Sequence, residues 1–345
     1  MFKLRFGIVF IAVFLSVVVL VDAGQNHTQK HLGRAGDHAP IGIMGDHIHK
    51  QGEMMVSYRY MKMHMKDMLL GDKKKNLSDL PSNYSMYADE MQMDMHMLGL
   101  MWAPSDQYTV MFMANWLAND MDMTMRGMMG NPNTSMSDDT YGLSDVSVAV
   151  LMPFMKDQDH LDGVLSLGLS IPTGKTDIKR NTMMGQTTYA GYPMQIGSGS
   201  FDLLPKFTLK KAYDQWSLGS QLSGRTPLGD NASSYRVGAS VLASAWASYT
   251  LNKHLSSSLR LSYDSQASLQ EKRSWSNATN NPLQAPFKGG YRMWRLALGL
   301  NTMMSEGLLA GYRVGIEYEL PLSQYVVHYQ MKESSRMTLG IQKTF

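Results

Sequence analysis

Hydrophobic and polar residues alternate with a period of two along most of this chain, beginning near residue 53. In the closing stretch "SRMTLGIQKTF", Met337, Leu339, Ile341 and Phe345 share one phase, interrupted by Lys343. Arg336, Thr338, Gly340, Gln342 and Thr344 hold the other. "MWRLALGLN" sets Trp294, Leu296, Leu298 and Leu300 against Arg295, Ala297, Gly299 and Asn301. "WSLGSQLSG" sets Trp216, Leu218 and Leu222 against Ser217, Gly219, Gln221 and Ser223. Successive side chains of a strand leave opposite faces, so this pattern predicts strands with one apolar and one polar face. Twelve segments follow from it: 53–65, 91–102, 107–120, 143–153, 161–171, 199–211, 214–225, 235–251, 254–266, 292–304, 307–319 and 335–345. Short connections ("APSD", "KDQDH", "AYD", "NK", "SE") follow the even-numbered segments. Long ones, 66–90, 121–142, 172–198, 226–234, 267–291 and 320–334, fill every other gap.

Most segments match the ~9–11 residues with which a tilted strand crosses a bilayer, and short turns opposite long loops are the layout of an outer-membrane barrel. The expected fold class is therefore all-β, a transmembrane antiparallel up-and-down β-barrel over residues 53–345. A water-soluble sandwich or lipocalin-like barrel shows the same alternation, with the apolar face turned inward. Three features favour the membrane. Loop lengths alternate strictly, the chain ends in Phe345 on the apolar phase, and aromatics gather near strand ends on that phase. Those aromatics are Tyr58, Trp102, Tyr108, Trp116, Trp216, Tyr263 and Trp294, as interfacial girdles require.

The first residues point to export. Lys3 and Arg5 precede an apolar run from Phe6 to Val21, and Val21-Asp22-Ala23 predicts a signal peptide over 1–23. An uncleaved anchor is the alternative, but this run is shorter than the ~20 residues of a helical span. Residues 24–52 are rich in His and Gly, contain Pro40 and show no alternation. They form an N-terminal extension, either hanging in the periplasm toward a periplasmic partner or folding into the lumen as a plug.

Composition narrows the function. There is no cysteine, hence no disulfide framework and no thiolate ligand. A net charge of +3 gives no basic surface for nucleic acid. Methionine is the anomaly: of 32 in the chain, 21 fall between Met44 and Met136. In "MQMDMHMLGLMW", Met91, Met93, Met95 and Met97 share a phase opposite to Leu98, Leu100 and Trp102. In the first strand Met61, Met63 and Met65 continue the phase of Ser57 and Arg59, opposite to Tyr58 and Tyr60. In the third, Met121, Met123 and Met125 extend the phase of Thr109 and Asn115. Three neighbouring strands are thus expected to turn thioethers into the lumen near the outer mouth. A one-residue slip would invert this, so a bulge is the main risk.

Thioether sulfur is a soft neutral ligand that, with imidazole, suits Cu(I) or Ag(I). The candidate metal residues are Met61, Met63, Met65, Met91, Met93, Met95, Met97, Met121, Met123 and Met125, with His47 and His49 of "GDHIHK" as an entry or exit site. His64 and His96 lie in the tracts but point the other way. The ion would be a bound or transported substrate, and no resident cofactor is expected. Two other readings stand beside it: a greasy lumen suited to apolar aromatic solutes, or plain filling by a flexible side chain. Outer-membrane lipid and a small-molecule or metal-ion substrate are the expected partners. "SIPTGKTD" (170–177) lacks phosphate-loop spacing. His160 and His254 have no evident serine partner, so no enzyme is expected. Arg59, Arg225, Arg260, Arg295, Arg336 and Glu317 fall on the inner phase, where they form a constriction or satisfy one another.

Several ordered stretches, "HAPIGIMGDHIHKQGEMMVSYRYMKM" (38–63), "MHMLGLMWAPSDQYTVM" (95–111), "LSLGLSIPTG" (165–174), "YPMQIGSGSFDLLP" (192–205) and "WSLGSQLSGRTPLGDN" (216–231), give the chain a family likeness. It resembles bacterial outer-membrane transporter-like barrels grouped with the meta-pathway of phenol degradation. The likeness spans about residues 38–345 and leaves out 24–37 and 72–90. It implies an outer-membrane channel of a Gram-negative bacterium without a settled substrate. The alternative function is a non-transport barrel, structural or surface-binding through its long loops.

Overall fold

The computed structural model describes residues 35–127, 132–156, 161–181, 187–271, 281–284, 289–304 and 306–345. The expected signal peptide, with His27, His31 and His160, lies outside the described residues. The principal strands are β1 (Met54–Gly71), β2 (Met86–Ser105), β3 (Tyr108–Met125), β4 (Thr134–Leu143), β5 (Val146–Lys156), β6 (Leu161–Ile171), β7 (Asp202–Ala212), β8 (Trp216–Pro227), β9 (Ser240–Asn252), β10 (Leu255–Gln266), β11 (Tyr291–Met303) and β12 (Tyr312–Thr344). Their pairing is antiparallel, and β12 pairs with β1 to close the sheet into a barrel.

Two elements depart from one strand per stave. β4 and β5 pair with the upper and lower parts of β3 and together make one stave, interrupted at Ser144-Asp145. The 33 residues of β12 are a hairpin. Its first half pairs with β11 and its second half with β1. The Thr344 amide reaches the Gly311 carbonyl at 3.2 Å. The Glu333 amide donates to Gln324 Oε1 at 2.9 Å, and Gln324 Nε2 donates to the Glu333 carbonyl at 2.6 Å. The chain turns between these residues, at His328 with φ +66°. Counted as two staves, β12 brings the barrel to the twelve that periodicity gave.

Several boundaries are corrected. The expected loop 320–334 is continuous strand with a tight turn. The loops 66–90 and 121–142 are shorter than expected, because β1, β2 and β3 run 18, 20 and 18 residues. Polar outward residues had hidden these extensions, since above the bilayer a strand no longer needs an apolar face.

Exposure fixes which phase faces lipid. On β6, Leu165, Leu167 and Leu169 are exposed while Val164, Ser166 and Ser170 are buried. On β11, Trp294, Leu298 and Leu300 are exposed, whereas Arg295, Ala297 and Asn301 are buried. Leucines outside and arginine inside is the inverse of a water-soluble barrel, and it identifies an outer-membrane β-barrel. Aromatics bound the apolar band. Trp216 packs on Tyr249 at 4.7 Å near the short-turn end. Tyr263 packs on Trp294 at 4.9 Å, and Trp116 on Tyr141 at 6.4 Å, near the long-loop end. From Tyr108 to Trp116 along β3, a rise of ~3.4 Å per residue and a tilt of ~40° give a height of ~20 Å, close to the ~25 Å of such bands.

The interior is not empty. Residues 35–50 enter from the short-turn end, rise to mid-barrel and return to the start of β1. The carbonyls of Ala35, Gly36 and Asp37 accept from Ser256, Ser217 and Lys210 at 3.1, 2.6 and 2.8 Å. Arg313 donates to the Ala39 carbonyl. Higher up, Lys206 and Gln221 donate to the Met44 carbonyl at 2.9 and 3.1 Å. The His49 amide then donates to Thr109 Oγ1 near the bottom of β3, at 3.0 Å. Ile41, below Met44, sits against two wall glycines. A Cβ on Gly340 would lie 2.7 Å from Ile41 Cδ1, and one on Gly315 would lie 2.9 Å from Ile41 Cβ.

Candidate functional site

The methionine tracts of β1, β2 and β3 lie side by side in register. Met61 is opposite Met95, Met63 opposite Met93, and Met65 opposite Met91. Met91 is also opposite Met121, and Met123 is opposite Ala88 on one side and Met136 on the other. Because Met95 pairs with Leu117, next to Trp116, the ladder begins at the level of the outer aromatics and climbs beyond them. The residues between the methionines pair across the same strands. His64 bonds Glu90 at 2.7 Å, Tyr60 bonds Asp94 at 2.5 Å, and Tyr58 bonds His96 at 2.8 Å, all on the outward phase. A bulge does occur on β1, where the register shifts between Met65 and Met68 and Asp67 adopts φ +67°. A further shift against β12 falls between His64 and Met65, but the register with β2 is unbroken from Met54 to Lys66, so Met61, Met63 and Met65 share one phase; beyond the bulge Met68 is buried.

The tract residues have different surroundings. Met91, Met121 and Met123 are buried in an apolar cluster with Leu80, Ala190, Met194, Leu283 and Tyr329, and Met65 and Met93 pack against it. Leu80, Ala190, Met194 and Leu283 come from the connections between strands, and Tyr329 from the turn of β12. Thr140 donates to the Met194 carbonyl at 2.8 Å and Ser144 to the Ile196 carbonyl at 2.7 Å, strapping the 172–201 connection to β4. Met97 packs instead on a lower cluster of Met55, Met101, Met111, Met113 and Leu151. Met61, Met63 and Met95 lie between the two clusters and are half-buried. Met125, at the end of β3 opposite Met86, belongs to neither.

Facing the thioethers is a charged wall. Arg260 binds Glu317 and Glu319. Arg295 binds Glu333 through two bonds of 3.0 Å and Asp264 at 2.8 Å. Arg336 bridges Glu333 at 3.1 Å and Glu319 at 3.5 Å, and its guanidinium lies 3.4 Å from the Met63 sulfur. Arg225 pairs with Asp202 at 2.6 Å. The inner arginines thus largely satisfy one another's carboxylates.

The second cluster of donors lies on the inserted loop. A turn, closed by the Ile43 amide on the Pro40 carbonyl at 2.9 Å, folds residue 38 back on residue 46. The Ala39 amide donates to Asp46 Oδ2 at 3.1 Å. Among the described residues, His38, Asp46 and His47 offer ligand atoms within 4.8 Å of one another. His47 Nδ1 lies 2.9 Å from Asp46 Oδ1. The His47 ring stands 5.2 Å from that of His38 and 4.9 Å from that of His49. His38 Nδ1 and His49 Nε2 are buried without a hydrogen-bond partner. Burial, with Arg313 nearby, holds the His38 imidazole well below its ordinary pKa, so it is neutral. Burial also lowers His49, against the pull of Glu53. Burial opposes ionisation of Asp46, but His47 and Lys210 outweigh it and hold its carboxyl well below the usual range. Sequence reasoning singled out His47 and His49 but neither His38 nor Asp46; of the two, His47 stands in the donor group and His49 lies beside it. The signal was the turn-forming "HAPIG", which returns the chain on "GDHIHK".

No protein-family model matches the chain. No curated protein matches it in sequence. Its fold is similar to solved structures. An outer-membrane channel from Pseudomonas putida F1 aligns at 12% identity with a TM-score of 0.58, covering 87% of this chain and 98% of that one. The β-domain of the Bordetella autotransporter BrkA aligns at 11% identity with a TM-score of 0.43, covering 86% and 100%. A Pseudomonas aeruginosa FadL homologue aligns at 9% identity with a TM-score of 0.38, covering 85% and 89%. The first speaks to architecture, an outer-membrane barrel.

Proposed function

We propose that this barrel is an outer-membrane channel whose mouth receives soft monovalent ions, Cu(I) or Ag(I), on a ladder of thioethers. The observation that carries the reading is the direct pairing of Met61 with Met95, Met63 with Met93, and Met65 with Met91 on the inner phase of adjacent strands. Cross-strand neighbours have Cβ atoms ~5 Å apart, so two flexible thioethers can converge on one ion. Leucine would fill the same apolar volume, so sulfur itself is what the tract adds. The facing wall of arginines and carboxylates makes a plain apolar passage the poorer match.

A second reading has its own support. The apolar cluster of Leu80, Tyr87, Leu283 and Tyr329 with the upper methionines suits an aromatic solute. This agrees with the resemblance to barrels of the phenol-degradation group.

Met93→Leu with Met95→Leu keeps apolar volume and should leave the barrel folded. In liposomes loaded with a chelating dye, this variant is expected to lose at least tenfold in Ag(I) uptake while keeping uptake of a small phenol. Unchanged Ag(I) uptake refutes the soft-ion reading. Absence of any uptake in the parent protein would favour a non-transport barrel.

A further inference from the structure

We propose that the inserted loop carries a second soft-cation site, in which the His38 and His47 imidazoles and the Asp46 carboxylate hold Cu(I) or Ag(I) beside the thioethers of the lower cluster. The proposal builds on the soft-ion reading of the mouth but uses other residues, so the two fail separately.

Geometry is the first support. His47 Nδ1 and Asp46 Oδ1 stand 2.9 Å apart. The two are hydrogen-bonded to each other, which already brings both donors to one place. All three ligand atoms lie within 4.8 Å of one another, so small rotations of the rings bring them to one ion. His38 Nδ1 is buried with no partner, a state that costs free energy unless something binds it. The turn at Pro40–Ile43 and the Ala39–Asp46 bond hold the three donors together without any ion.

Charge and softness select the ion. Asp46 and His47 line a small cavity whose other walls include Met55, Met101, Met111 and Met113. Thioether and imidazole together suit a soft ion. The same loop is gripped by Arg313, Lys206 and Lys210, with Arg59 on the cavity wall. Asp46 stands among these four cationic side chains, and Glu317 beside Gly42 is already bonded to Arg260, so each added unit of ionic charge meets that repulsion again. A monovalent soft ion meets it once and gains from neutral donors. An ion held here would also tie both ends of the loop together and fix it in the barrel.

Ag(I) titration of the full-length barrel in detergent tests this. The parent protein should bind at two separable classes of site. His38→Gln with His47→Gln should abolish one class and leave the other, which Met93→Leu with Met95→Leu should abolish instead. Cu(I) X-ray absorption of that methionine variant should retain nitrogen or oxygen scattering beside sulfur. Unchanged Ag(I) stoichiometry in a folded histidine variant overturns the proposal. Should that variant not fold, an all-sulfur shell around Cu(I) in the parent protein overturns it equally. Zn(II) bound as tightly as Ag(I) overturns the choice of ion. Loss of the mouth class from the parent protein, with the histidine-dependent class intact, refutes only the mouth reading.

Discussion

Glu333 is buried in the wall and bonded to Arg295 and Arg336 at once. Removing it leaves two inner guanidiniums without their shared carboxylate. Breaking a buried pair in this way costs about 3–5 kcal/mol. Glu333→Ala should lower stability by that order, read as a shift in the urea midpoint of the barrel in detergent, whereas Glu306→Ala should leave it unchanged. Glu306 pairs with Lys253 on an exposed turn, where ion pairs contribute little. A residue's phase was legible in the sequence: Arg295, Arg336 and Glu317 fall on the inner phase by parity alone. Its partner was not, because Glu333 lies in a stretch that periodicity read as loop.

At the scale of the element, the inserted segment and the hairpin β12 are fitted to each other. Gly315 and Gly340 leave the space that Ile41 fills. Gly340→Val should therefore displace the loop at Ile41 while leaving the outward Leu339 and Ile341 in lipid. The expected outcome is higher single-channel conductance in planar bilayers and faster proteolysis within 36–49 from the periplasmic side. Wild-type conductance would mean that the loop does not limit passage. The sequence left open whether residues 24–52 hang free or plug the lumen; the contacts of 35–50 set the described part inside the barrel, and its gating role is what this variant tests. Element lengths were legible only where lipid constrains them. Above the outer aromatics β1 to β3 carry Lys62, Asp94 and Asp120 outward, so alternation no longer marks their ends.

At the scale of the whole molecule, stability rests on matching an apolar exterior to the bilayer. Leu222 is 53% exposed at mid-height on β8. Leu222→Arg should destabilise the folded barrel by about 2–4 kcal/mol, the cost of arginine near the midplane of such barrels. Equilibrium folding into thin-bilayer vesicles measures it, and a change below about 0.5 kcal/mol would be the surface-mutation range of a water-soluble protein. By itself the sequence determined the all-β architecture, the outward face of the lipid-crossing strands and the ends of the lipid-crossing band. All of these follow from a two-residue period acting within one strand. Only the tertiary structure decided which staves meet at closure, that β12 doubles back at His328, that Leu80, Met194 and Leu283 gather with the upper methionines, and that His38 reaches Asp46 and His47. Those depend on contacts between segments far apart in the chain, and such contacts exist only once the sheet has closed around its contents.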